Sequence, residues 1–207
     1  MINSYTEIND RFIDALREVG NIGSGNAATS LSLMIDESVH INVPQVMIVG
    51  YDRVVSIVGE PEEPCIAVMV KYGGDVHGIV LLVLSLEDAN NIADTVLNGI
   101  GDEAGTEEFS ELKISMIKEI GNILGSSYLG SLSTLTGLHF DISLPFVSID
   151  MIGAVLNAPL VEFSMDSNKI LLIEGSFYSD ARIVRSHVIL FADVLSLDLI
   201  LTKLGIE

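Results

Sequence analysis

Apolar residues recur along the chain with two different periods. From about Asp10 to Met34 the spacing is helical, with Phe12, Leu16, Val19, Gly23, Ala27 and Met34 on one stripe. Asn9 or Asp10 stands where an N-cap belongs. Ile117, Ile120, Leu124, Tyr128 and Leu135 draw the same kind of stripe later in the chain. After each long helix the pattern changes to β-rich runs separated by turn residues. These runs fall at about 40–50, 53–58, 65–71 and 76–84, then at about 139–149, 160–165, 169–176 and 182–191. A shorter amphipathic helix closes each series, near 86–98 and near 192–204.

The two series are one pattern written twice. Glu18-Val19-Gly20-Asn21-Ile22 returns as Glu119-Ile120-Gly121-Asn122-Ile123, displaced by 101 residues. The same displacement carries Asp14 to Ser115, Arg17 to Lys118 and Pro44 to Pro145. Several matches at one offset imply two repeats, about 8–100 and 107–207. The acidic, Gly-containing stretch Asn98 to Thr106 between them is too short for a long flexible linker. The expected architecture is therefore one α+β domain over 1–207, internally duplicated with pseudo-twofold symmetry, its helices packed on a mainly antiparallel sheet.

Composition narrows the class. At 207 residues with 49% apolar side chains, the chain can bury a substantial core. Mean hydropathy is positive, but the longest apolar runs, such as Gly78 to Leu84, fall far short of the roughly 20 residues that a bilayer span needs. The first residues lack the basic and apolar regions of a secretory signal, so a cytoplasmic protein with no membrane partner is expected. The single cysteine, Cys65, has no internal partner for a disulfide. A net charge of −19 with only 10 Lys plus Arg disfavours nucleic acid. The acidic concentrations at Glu60 to Glu63 and Asp102 to Glu111 read as solvated loops.

The polar side of each long helix carries the candidate chemistry. With about 100° of turn per residue, Asp14, Glu18, Asn21 and Gly25 fall within a narrow stripe, while Phe12 and Leu16 project away from it. Ser115, Glu119, Asn122 and Ser126 form the corresponding stripe in the second repeat. Each helix thus offers a carboxylate and a carboxamide one turn apart, and Gly25 and Ser126 leave room for a partner's surface. One Glu-x2-Asn on a helix is ordinary solvated surface. Its return at a fixed offset, opposite the apolar stripe both times, is not ordinary.

The pattern Asp/Ser-x3-Glu-x2-Asn-x22-Pro, at Asp14, Glu18, Asn21, Pro44 and again at Ser115, Glu119, Asn122, Pro145, resembles the signature of the CheC, CheX and FliY phosphatases. The likeness runs over nearly the whole chain, and having two copies without a further switch domain puts it nearest the CheC type. The resemblance implies a hydrolase that removes the phosphoryl group from the aspartyl phosphate of a CheY-like response regulator. Asn21 and Asn122 would position the attacking water, because a carboxamide donates and accepts without adding negative charge. Glu18 and Glu119 would engage the regulator's active-site lysine. Magnesium would belong to the regulator, leaving this chain with no cofactor or metal site of its own. A second implied partner is the receptor deamidase CheD: Ser148 to Ala154 resembles the family's docking region for it, with Asp150 the residue to test.

Asp14 and Ser115 differ between repeats, which suits partner contact or local hydrogen bonding better than catalysis. Arg17 and Lys118 precede the glutamates and read first as solvated helix surface, with steering of a phosphorylated partner as the alternative. Pro44 and Pro145 are expected to start strands. His40, His77, His139 and His187 lack metal-ligand spacing and read as structural, and Met47, Met69, Met151 and Met165 read as core. Gly20, Gly23 and Gly25 lie within a helical pattern and out of the order a dinucleotide loop requires. Two other readings compete with a phosphatase: a module that captures the phosphorylated regulator without hydrolysis, and a component of the flagellar switch.

Overall fold

The structure, a computed structural model, describes residues 10–36, 38–97, 109–163, 169–179 and 183–205. Asn9 and the junction at 98–106 lie outside the described residues, as do Met165 and the side chains of Phe12 and Pro44. The first half of the chain gives α1 (Asp10–Ile35), β1 (Val39–Gly50), α2 (Tyr51–Val58), β2 (Pro64–Gly74), β3 (Gly78–Ser85) and α3 (Leu86–Val96). The second gives α4 (Glu111–Thr136), β4 (Phe140–Ile142), β5 (Phe146–Met151), α5 (Ile152–Phe163), β6 (Lys169–Ser179), β7 (Ile183–Ala192) and α6 (Val194–Lys203).

The strands form one sheet in the order β1-β6-β7-β3-β2-β4, with β5 also paired to β2, and every ladder among them is antiparallel. The fold is α+β, as the alternation of periods predicts. Exchanging β1 with β4 and β5, β2 with β6, and β3 with β7 reverses the order without altering it. The outer strand of each half therefore pairs with an inner strand of the other half. The ladders break at matching places: β1 shifts register between Asn42 and Gln45, around Pro44, and Ser143 to Pro145 separate β4 from β5. Proline has no N–H to give to a ladder, so the sheet yields there. Pro145 immediately precedes a strand, whereas Pro44 sits inside one.

Two of the expected strands are helices. Residues 53–58 belong to α2, and 160–163 belong to α5. Val54, Val55, Ile57 and Val58 are β-formers by type, but their spacing equally suits a one-sided helix. Tertiary packing decides the matter, because Val54 is fully buried on a second core beneath the sheet. That core comprises Cys65, Ala67, Ile79, Leu81, Val83, Ile189 and Phe191 from the strands, with Val155 and Leu156 from α5. Alternate strand residues Ile66, Val68, Val80, Leu82, Val188 and Leu190 face the main core under α1, α4 and α6. With both faces covered, β3 is buried over almost its whole length.

Caps set the helix ends. The Ser110 hydroxyl accepts from the Lys113 N–H at 3.3 Å to start α4, and Asp193 Oδ1 accepts from the Ser196 N–H at 2.6 Å to start α6. Gly137, at φ 70°, ends α4 in the left-handed region. Leu135, expected on the buried stripe, is exposed, and so is Met151, expected in the core. Leu135 belongs to the last turn of α4, and Met151 ends a strand that pairs with β2 alone among the described strands, so each has less cover than mid-element neighbours.

Cys65 is fully buried, and burial pushes its thiol from an ordinary 9.0 up to about 11, helped by the carboxylates of Asp150 and Glu63. Iodoacetamide at neutral pH is expected to leave the folded protein unlabelled and to modify it in denaturant. Rapid labelling of folded protein would contradict this placement. The unfolded thiol ionises first, so this group stabilises the fold fully below about pH 9, and that contribution is lost as pH rises toward 11.

Candidate functional site on the paired long helices

Helices α1 and α4 cover the main core side by side. Ser24 Oγ and Tyr128 Oη share a buried hydrogen bond of 2.7 Å, and Asn26 Nδ2 donates to Ser131 Oγ at 3.3 Å. Leu16 and Val19 of α1 meet Tyr128 and Leu132 of α4 around a cavity of about 20 Å³ over Val80, Val188 and Leu190. Burial raises the Tyr128 phenol above its usual range while its bond to Ser24 opposes the shift, so it stays protonated as a fixed partner at neutral pH. This seam uses the apolar sides of both helices. Their polar stripes are left outside.

On α1, Asp14, Glu18, Asn21 and Gly25 are all exposed, while Leu16 and Val19 beneath them are buried. On α4, Ser115 and Glu119 are exposed, and Asn122 and Ser126 are half-buried above buried Ile117, Ile120 and Leu124. A Cβ on Gly121 would come within 2.5 Å of the Val68 side chain on β2. The helix backbone therefore rests directly on the strand, and the next residue lies on the flank of that contact. Among the described residues, no hydrogen bond or ion pair engages the side chains of Glu18, Asn21, Glu119 or Asn122. Two carboxylates and two carboxamides are thus free to meet an incoming surface and to orient water. The repeats differ one turn earlier, where Arg17 Nη1 donates to Asp14 Oδ1 at 2.6 Å while Ser115 offers Lys118 no carboxylate.

Asp150 is not part of this arrangement. It is exposed on β5, opposite Cys65 of β2, and its Oδ1 accepts from the Met151 N–H at 2.8 Å. Phe146 and Ser148 line a cavity of about 120 Å³ with Ala154, Val155 and Ala158 of α5, and strand alternation puts Asp150 on that same face. Helices α1 and α4 cover the opposite face. This edge also exposes apolar side chains: Leu144 at 88% and Phe146 at 65%, with Ile149 and Met151 on the other face of β5 from Asp150. The single strand expected at 139–149 is instead two, β4 and β5, the second running on to Met151. The Ser143-Leu144-Pro145 break was the available signal.

No group of His, Cys, Asp and Glu among the described residues is arranged to hold a metal ion. His40, His77 and His139 are exposed, with His77 in the turn between β2 and β3 and His139 bonded to Asp141 at 3.0 Å. His187 is half-buried on β7. No described helix is long and apolar enough to cross a membrane.

Comparison with known proteins places this geometry in a class. The CheC-like family model matches residues 13–48 and 112–149, each stretch running through a Glu–Asn stripe to just past its proline. The CheY-P phosphatase CheC of Bacillus subtilis is 27% identical over 205 residues, covering 97% of both chains. The flagellar motor switch phosphatase FliY of the same organism is 33% identical over 136 residues, 66% of this chain, and this chain spans only 35% of it. The crystal structure of Thermotoga maritima FliY superposes with a TM-score of 0.76 at 26% identity, covering 96% of this chain and 98% of that one. The likeness seen in the two signatures therefore holds: the chain is similar to the CheC and FliY phosphatases in sequence and in fold.

Proposed function

We propose that this protein hydrolyses the aspartyl phosphate of a CheY-like response regulator in the cytoplasm. The observation that carries the reading is the pair of uncommitted Glu–Asn stripes facing outward on α1 and α4, in a chain similar to named CheY-P phosphatases. A phosphorylated regulator lays its acyl phosphate against one stripe. Glu18 or Glu119 pairs with the regulator's lysine, and Asn21 or Asn122 holds a water in line with the phosphorus. The water oxygen bonds to phosphorus and the bond to the aspartyl oxygen breaks. The regulator recovers its carboxylate, and both of the water's protons leave with inorganic phosphate. The carboxamide is suited to this step because it orients the water without placing another negative charge beside the phosphoryl group. Magnesium is carried by the regulator.

The test mixes purified protein with a phosphorylated CheY-like regulator and follows inorganic phosphate. Release well above the regulator's own decay is expected. Release at the rate of that decay, with binding intact, would leave capture without hydrolysis as the function.

Binding of the CheD deamidase is proposed for the β5 edge. Asp150 there is a charge on an edge that also exposes Leu144, Phe146, Ile149 and Met151, and a charge beside apolar surface can orient an apolar contact. Asp150→Lys is expected to weaken CheD binding measured by calorimetry on folded protein. Unchanged affinity removes this assignment.

A further inference from the structure

We infer that the two sites are electrostatically unequal, that the α4 site is the better collector of phosphorylated regulator, and that Asp14 is the residue holding the α1 site back. This rests on the phosphatase reading and adds to it a residue that sets preference between sites. Both stripes carry a cation just before the glutamate, Arg17 or Lys118. In α1 that cation is cancelled locally, since Arg17 Nη1 lies 2.6 Å from Asp14 Oδ1, with the Arg17 side chain half-exposed and that of Asp14 exposed. In α4 the position of Asp14 is taken by Ser115, and Lys118, exposed, has no carboxylate partner among the described residues. The nearby Lys113 is already bonded to Asp94 and Asn90 of α3.

A phosphoryl group adds negative charge to the regulator at the point of docking. On a protein of net charge −19, a free cation beside the site is uncommon and its effect is local. The exposed pair contributes little to stability, so its consequence lies in the charge it presents and not in the fold. Even when the Asp14–Arg17 contact opens, the Asp14 carboxylate remains on the docking stripe. One unit charge at roughly 8 Å in water changes the encounter with an anion by about twofold at low salt.

The experiment isolates each site by removing the other's carboxamide. In Asn122→Ala protein, which leaves the α1 site, adding Asp14→Ser is expected to raise kcat/KM for phosphorylated regulator about twofold at low salt, with kcat little changed. Adding Arg17→Ala to that variant should take the gain away. In Asn21→Ala protein, which leaves the α4 site, Lys118→Ala should lower kcat/KM by a similar factor. Both effects should vanish at high salt. A shift in kcat with unchanged salt dependence would mark a structural role and overturn the inference. If both single-site proteins are active and neither Asp14→Ser nor Lys118→Ala changes kcat/KM, the inference fails alone. If the parent protein releases no phosphate above the regulator's own decay, the phosphatase reading fails with it.

Discussion

Asn21→Ala combined with Asn122→Ala is expected to abolish phosphate release, while either change alone leaves the activity of the other site. Losing the group that orients the attacking water costs about a hundredfold or more at a site that works by positioning. Each single variant should therefore keep only the other site's share, and the double variant should fall by about two orders of magnitude to the regulator's own decay. The fold should be untouched. Asn21 is exposed and Asn122 half-buried on helices, neither side chain bonds to another described residue, and alanine is the better helix former. Circular dichroism and thermal melting of the double variant should match the parent. Capture of a regulator carrying a non-hydrolysable phosphoryl mimic should persist, because docking is assigned to the carboxylates. Glu18→Lys with Glu119→Lys should reverse that outcome, weakening capture by setting a cation against the regulator's lysine. A double Asn variant that releases phosphate at the parent rate would show that the carboxamides are not the reacting site's water-positioning groups.

Gly121→Ala is expected to be the most damaging small change near the site, and the reason lies under the helix. The added Cβ would stand 2.5 Å from both Cβ and Cγ1 of Val68, and the first of these is fixed to the β2 backbone. Either α4 lifts or β2 moves, at an overpacking cost of about 1–3 kcal/mol, partly offset by the roughly 1 kcal/mol that alanine gains over glycine within a helix. The net cost is up to about 2 kcal/mol, a fall in Tm of up to about 8 °C for a chain of this size. Gly25→Ala is the contrast. Nothing lies within 4 Å of a Cβ there, so the propensity gain should appear alone and Tm should rise slightly. Since Asn122 adjoins the contact, Gly121→Ala should also lower phosphate release in an Asn21→Ala background. Equal melting of the two alanine variants would mean that α4 does not rest on Val68 as described.

The polar stripes were legible before any coordinates because their meaning is local. Asp14, Glu18 and Asn21 share a face by helical geometry alone, and the second copy at Ser115, Glu119 and Asn122 repeats it at a fixed offset. The long helices, the strands β2, β3, β6 and β7 and the closing helices were legible for the same reason, since each carries its period within its own residues. Two elements were not. Residues 51–58 and 152–163 are rich in Val, Ile, Leu and Phe, and such short apolar runs satisfy a strand or a buried helix equally well.

What the chain determined by itself was the α+β alternation, the two sets of elements and the chemistry offered on each long helix. What the tertiary structure decided was everything that depends on residues distant in sequence. The second core beneath the sheet made α2 and α5 helices, because Val54 and Leu156 had an apolar surface to bury against only once Ala67, Leu81 and Phe191 were assembled. The exchange of outer strands between halves, the exposed edge that carries Asp150 and the seating of Gly121 on Val68 arise likewise from pairings across the chain. Local periodicity encodes which face of an element is apolar, but not which neighbour will cover it, and burial is a property of the neighbour as much as of the residue.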